Sequence, residues 1–337
     1  MTASISKKLV ASIPAIVLLF FFSIISGLRE GGLDYDRYVI MIKNTVAGAS
    51  LFDKLLLAKD PLFGFIVHLL NPSTDDEYFK VFLSFSILGF LGKLTIRNEL
   101  GYGFSVFVVL YLFFMAPSLD YAAIRAMVGL TFLIAAFKYH NKNFTIYCLF
   151  SVLSVAAHVS MLVPLILGTD FSRRIVERRP ILVLLLIVFC SFSSKFILSY
   201  FPNTSTYIDE SGTLASILPI SISISAVFMY WILIFRVYHG ESSELHKKTF
   251  YVSVVLFLGS LFLAPVVVVA AYRFHQIAQF VFLIALLTIN HRFLLERKQR
   301  LLSLILVFIL FSVPMIYKNY SQELWSIMIE NTSLFPF

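Results

Sequence analysis

Charge is scarce in this chain: Asp, Glu, Lys and Arg make up 14% of its 337 residues, against 59% for the hydrophobic types. Soluble domains run near a quarter charged, so a soluble fold is excluded. Cysteine is scarcer still. Its two copies, Cys148 and Cys190, lie inside apolar runs, which argues against a disulfide and for two thiols facing lipid or core. Strict alternation of apolar and polar residues is absent, so an outer-membrane barrel is not expected. A glycine-rich nucleotide loop, zinc-ligand spacing and a nucleophile elbow are also missing. No repeat, low-complexity tract or polar domain interrupts the sequence, which reads as a single integral membrane domain over 1–337.

What the chain has instead is long uncharged runs: Leu9–Leu28, Gly101–Leu119, Ser211–Phe235 and Thr249–Tyr272. About 20 apolar residues carry a helix across ~30 Å of hydrocarbon. Hydropathy predicts spans at 9–28, 78–96, 101–118, 122–138, 143–157, 159–171, 180–200, 216–238, 249–270, 274–290 and 301–317. The expected fold class is therefore all-α, a polytopic transmembrane helical bundle of about 10–11 spans, two of them short or broken around His158. The first run follows Lys7 and Lys8, but it is longer than the core of a cleaved signal and reads as a retained anchor.

The net charge of +8 is better explained by topology than by nucleic acid. With a cytoplasmic N-terminus and a hairpin at His158, the inner segments hold most of the 27 Lys and Arg, among them Lys93, Arg97, Lys138, Lys142, Lys247, Lys248 and Arg300. Reading 143–169 as one span would export Arg173, Arg174, Arg178 and Arg179 together. Residues 29–77 then lie outside. Within them Pro61–Leu70, bounded by Asp60 and Asn71-Pro72, is too short to span and reads as an interfacial or re-entrant helix.

A charge at the bilayer centre costs at least ~2.5–3.5 kcal/mol, so ionisable residues near spans are candidates for function. Arg125, His158 and Arg273 stand out, and this topology puts all three at outer helix ends with the stretch Gly31–Tyr38. Each also has an ordinary reading. The arginines could snorkel, His158 could satisfy a broken helix end, and Asp34–Tyr38 could be a solvated loop. Asp34-Tyr35-Asp36 is too short a pattern to argue for a metal, and none is expected.

Taken in order, these residues resemble the EpsG-type, Wzy-like polysaccharide polymerases of bacterial envelopes. Arg29 with Gly32, Asp34 and Tyr38 matches an Arg and a Gly-x-Asp-x-x-x-Tyr after the first span. Asp60-Pro61-Leu62-Phe63 matches an acidic residue before an apolar turn, where the family usually has Glu. Ile124-Arg125 matches the opening of a helix, with Ala126 replacing a Gln. His158, Ser160 and Pro164 match a His-x-Ser before a Pro-containing stretch, and Tyr272-Arg273 a late Arg at a helix start.

The resemblance implies a multi-span enzyme of the bacterial inner membrane. It would join oligosaccharide repeat units carried on undecaprenyl diphosphate at the periplasmic face, building O-antigen, capsule or exopolysaccharide. A diphosphate leaving group gains negative charge in the transition state, and a fixed guanidinium stabilises that charge and can grip two phosphate oxygens. Arg125, Arg273 and Arg29 are the implied diphosphate ligands. His158 and Asp34 are the available bases for the acceptor hydroxyl. Imidazole, titrating near ~6.5, suits proton transfer at neutral pH, while Arg29 and Arg37 beside Asp34 make it the weaker base, left to position the acceptor. Tyr35, Tyr38, Tyr121, His275 and Gln276 are implied sugar contacts. No cofactor is implied. The expected partners are lipid-linked oligosaccharides, membrane lipids, and chain-length regulator and flippase proteins. A flippase of lipid-linked sugars would use the same residue types nearer the midplane and in repeated halves. An O-antigen ligase would use the same chemistry.

Overall fold

The computed structural model describes residues 12–330 except 33, 49, 59, 102, 200–213, 239–241, 291, 292, 295 and 322. Among the described residues the protein is 85% helical and has no strands, an all-α polytopic bundle. It divides into two compact units, Met1–Val163 with Lys318–Phe337, and Pro164–Tyr317.

In the first unit the helices are α1 (Ile13–Gly27), α2 (Tyr35–Val46), α3 (Leu51–Leu57), α4 (Pro61–Leu70), α5 (Phe79–Thr95), α6 (Gly103–Phe114), α7 (Ile124–Tyr139) and α8 (Phe144–Ala157). The segment 29–77 is thus mostly helical, and its apolar stretch forms α4. Pro61 sits in the first turn of α4, where its fixed φ fits and its missing N–H costs nothing. Asn71 ends the helix in the left-handed conformation, φ 40°. Gly27 lets α1 lie directly on α5: a Cβ there would meet the Leu83 Cα at 2.7 Å. α7 packs on both α5 and α8, and α4 packs on α2, α5 and α8. Ser154 of α8 donates from Oγ to the Gly129 carbonyl of α7 at 2.8 Å, which pins those two helices together.

α8 stops at Ala157. His158 is extended (φ −160°, ψ 116°), and a 3₁₀ turn, Val159–Met161, follows. The span expected over 159–171 is not a spanning helix. The turn leads into α9 (Leu162–Leu167), whose six residues cover ~9 Å, and then into α10 (Asp170–Arg178), capped by Thr169 accepting from the Ser172 amide. Gly168-Thr169 and the charges after them end the apolar register that hydropathy averaging had carried through to 171.

The second unit continues with α11 (Pro180–Ser199), α12 (Leu214–Tyr230), α13 (Glu244–Leu263), α14 (Val268–Leu287) and most of α15 (Lys298–Ser321). α13 packs along α14 and is braced by α11 and α12. Its buried His246 is satisfied by the Tyr230 hydroxyl and Thr288 Oγ1, both at 3.1 Å.

Among the described residues four helical stretches are long and apolar enough to cross a membrane: Asp75–Leu100, Ile217–Tyr238, Val268–Leu287 and Lys298–Ser321. Other expected spans are apolar helices of 10–17 residues. The run 101–118 shows why. α6 ends at Phe114, a four-residue turn of helix at Ala116–Leu119 follows, and the chain carries Asp120 into the interior, fully buried. There its carboxylate accepts from Lys93 Nζ at 2.7 Å and from the Tyr111 hydroxyl at 2.5 Å. Lys93, counted from sequence among the inner loop cations, is therefore no loop residue. It lies within α5, wholly buried and ion-paired. A one-dimensional charge count places such a lysine at a span end because its partner, 27 residues away, is invisible to it.

Candidate functional site

The arrangement that stands out in the first unit is centred on Asp60. This residue caps the N-terminus of α4, a position from which an Asp carboxylate ordinarily accepts the first free amides of its own helix. Here the side chain makes no such bond. Its Oδ2 instead meets Arg125 Nη1 from the first turn of α7 and, at 3.2 Å, His158 Nδ1 from the break after α8. Its Oδ1 accepts the Val159 amide at 3.1 Å. Two segments far from Asp60 in sequence thus converge on its buried carboxylate.

The exposure of the three side chains is graded. Asp60 is 5% exposed, Arg125 17% and His158 24%. The carboxylate forms the floor, and the arginine and imidazole reach from it toward the surface. The Arg125 guanidinium lies against the rings of Tyr38 (5.2 Å) and Phe63 (5.6 Å), and its Nε is buried without a hydrogen-bond partner among the described residues. Ser160 Oγ, two residues past His158, is likewise buried and unpartnered among them.

Beside this centre lies a second cation. Arg29 is 1% exposed and stacks on Phe82 (4.7 Å), Tyr121 (5.4 Å) and Tyr38 (5.6 Å). Its Nη1 donates to the Asp120 carbonyl at 3.3 Å, while Nε and Nη2 find no partner among the described residues. Burial pushes its pKa down, with Tyr38, Tyr121 and Asp34 acting in the opposite direction; an arginine starts so high that it stays charged. The Asp120 carbonyl also accepts from Ser26 Oγ at 2.9 Å. The ion pair to Lys93 and these bonds together anchor the chain just before Arg125, so the buried charge cluster holds the approach to α7 in place.

Tyr35 stacks on Phe82 at 5.2 Å, and Tyr38 sits between Phe82 and Phe63. Gly32, at φ 117°, lets the backbone pass flat against the Tyr121 ring, where a Cβ would come within 2.7 Å of a ring carbon. Asp34 caps α2 without a side-chain cap bond and lies 3.7 Å from Arg37. Its charge also acts on both Arg29 and Arg125.

The first unit therefore holds Arg29, Asp34, Tyr35, Tyr38, Tyr121, Arg125 and His158 of the residues expected from sequence. The direct contacts join Arg125 and His158 through Asp60, and Arg29, Tyr38 and Tyr121 through stacked rings. Arg273, His275 and Gln276 stand on α14 in the second unit. Arg273 and Gln276 are partly exposed. His275 is buried, with Nε2 at 2.9 Å from Ser223 Oγ and its ring edge-on to Phe257.

In the sequence Asp60 stands as a motif position with no evident task. Its signal was present: an acidic residue directly before Pro and an apolar helix reads first as an N-cap, and that reading masks any other use of the carboxylate.

The EpsG family matches residues 12–336, essentially the whole chain. No curated protein and no solved structure matches it.

Proposed function

The chain belongs to the EpsG family and is a membrane protein of polysaccharide biosynthesis, and from that premise we propose that it is a polysaccharide polymerase. It joins oligosaccharide repeat units carried on undecaprenyl diphosphate, at the outer face of the bacterial inner membrane. The observation that carries this reading is the meeting of Arg125 and His158 over the Asp60 carboxylate, with aromatic rings lining one side. A phosphate-gripping cation and a proton acceptor side by side are the two groups that glycosyl transfer from a lipid diphosphate requires.

The step runs as follows. The acceptor hydroxyl oxygen forms a bond to C1 of the donor sugar as the bond from C1 to the diphosphate oxygen breaks. The electron pair of that bond leaves with undecaprenyl diphosphate, whose growing charge Arg125 stabilises. The acceptor's proton passes to His158, and Asp34 positions the acceptor. Tyr35, Tyr38 and Tyr121 present ring faces to sugars. Arg29, buried against Tyr38, Tyr121 and Phe82, holds them in place and adds positive potential.

Mass analysis of lipid-linked glycans in a deletion strain tests the function. Accumulation of a single lipid-linked repeat unit is expected. Long chains left unattached would make the protein a ligase, and loss of outward lipid transport would make it a flippase.

Sidedness is tested by single cysteines in a background lacking Cys148 and Cys190. Positions 36, 141 and 178 are all exposed. An impermeant thiol reagent is expected to label 36 in intact cells and to leave 141 protected, and 178 reports whether the segment 159–178, whose α9 is too short to span, returns the chain inward. Labelling at 178 but not at 141 would show that the chain crosses once between 141 and 178, and the hairpin at His158 would be rejected.

A further inference from the structure

We infer that Asp60 is the positioning residue of the site: it holds His158 in the tautomer with the proton on Nδ1 and fixes the Arg125 fork beside it. The argument is a count of donors and acceptors. An ionised carboxylate only accepts. Oδ1 takes the Val159 amide, which can only donate, and Oδ2 takes Arg125 Nη1, which can only donate. With Oδ2 facing a guanidinium and Oδ1 an amide, the carboxylate acts as an acceptor on both oxygens, and a third partner that meets it as an acceptor must donate too. His158 therefore carries its proton on Nδ1, and Nε2 is left as the lone-pair nitrogen.

The same carboxylate fixes the distance between the two groups. His158 and Arg125 share Oδ2, so neither can swing without loosening the other. The Val159 amide orients the carboxylate plane, and it comes from the residue next to His158, so the extended backbone at the helix break and the imidazole are held by one side chain. Asp60 also gives up its ordinary capping bond to do this, a local loss at the head of α4 that Pro61 partly offsets by fixing φ.

No neutral side chain of the same shape can replace the carboxylate. Asparagine at 60 offers one accepting oxygen and one donating NH2. With the oxygen toward Arg125 and His158, the NH2 faces the Val159 amide. With the groups exchanged, the NH2 faces Arg125 and His158 Nδ1. One arrangement sets donor against donor at the backbone. The other presses Arg125 away and turns His158 to the opposite tautomer, with the proton on Nε2.

The inference rests on the functional reading for what His158 does, but not for how it is held. The primary test therefore needs no turnover. Protein labelled with 15N-histidine is purified in detergent, and the His158 resonances are assigned by their loss in His158→Asn. At a pH where the imidazole is neutral, the nitrogen shifts are expected to report Nδ1–H in the native protein. Asp60→Glu should retain it in part and Asp60→Ala, which leaves Nδ1 without its acceptor, should lose it. A native His158 protonated on Nε2, or a tautomer unchanged in Asp60→Ala, overturns the inference, and the native measurement decides even if Asp60→Ala fails to fold.

In a turnover assay with lipid-linked repeat units, Asp60→Asn is expected to lower kcat by about 10²–10⁴-fold, the span of general acid–base contributions. The KM for acceptor should stay near its native value, and Asp60→Glu should recover part of kcat. A loss expressed wholly in KM would overturn the positioning role. A His158 locked on Nδ1 in a protein that joins no repeat units would instead overturn the functional reading and leave this one standing.

Discussion

In cells whose only copy carries Arg125→Ala, glycan longer than one repeat unit is expected to disappear, and turnover by the purified variant to fall by about 10³-fold or more. Fixed cations that meet charge as it develops on a leaving phosphate contribute on this scale. The substitution also strips Asp60 of its guanidinium, and removing one partner of a buried ion pair costs about 3–5 kcal/mol where both are sealed. Arg125 is not sealed, so its loss costs less. Two companions separate stability from chemistry. Arg125→Lys keeps a cation against Asp60 and should restore the amount of protein in the membrane, yet recover little turnover, because an ammonium cannot offer the planar fork. Arg125→Ala with Asp60→Asn removes both charges and should be better folded than Arg125→Ala alone while remaining inactive. Full chain length in Arg125→Lys would reduce Arg125 to an electrostatic role, and normal chains in Arg125→Ala would remove it from the site.

The helices were legible because their signal is local. Hydropathy over about 20 residues locates α5, α12, α14 and α15, and a Pro after an acidic residue with Asn-Pro at the far end brackets α4 to the residue. The failures share one cause, which is that a window of sequence cannot see a partner. Lys93 reads as a boundary cation until Asp120 is placed beside it. The run 101–118 reads as one span until the chain turns at Met115 to deliver Asp120 inward. The stretch 159–171 averages as apolar because Gly168, Thr169 and Asp170, where α10 begins, are only three residues among thirteen.

Chemistry was legible in the same measure. Arg125 and His158 declare themselves because a charged or titrating side chain at the edge of an apolar helix is costly and asks for a reason. Arg29, expected to reach a diphosphate, has its guanidinium against three aromatic rings with Nε and Nη2 buried. That geometry comes from tertiary packing of α1, α5 and the segment before α7, none of which spacing can encode. Asp60 was hidden by its own plausibility as a cap. Only the missing capping bond shows that the carboxylate is committed elsewhere.

That commitment sharpens the choice of variant for His158, the residue expected to take the acceptor's proton. The bond to Asp60 uses Nδ1. Asparagine places its amide nitrogen near the Nδ1 position and can still donate to the carboxylate, whereas glutamine reaches toward the position of Nε2 and gives up that bond. Neither amide accepts a proton near neutral pH. If His158 is the base, both variants should lose turnover by about 10²–10⁴-fold, and His158→Asn should do so with near-native thermal stability, because the Arg125–Asp60–Val159 contacts persist. Asp34→Asn should behave differently. Asp34 sits at the cap of α2, and its charge acts on Arg125; as the group that positions the acceptor, its loss of charge should raise the KM for acceptor and leave most of kcat. The comparison requires purified lipid-linked repeat units, a saturating donor and a varied acceptor concentration. Turnover retained in His158→Asn, with turnover lost in Asp34→Asn at saturating acceptor, would reverse the two roles: the proton would go to Asp34, and the imidazole held by Asp60 would serve to orient the donor diphosphate beside Arg125.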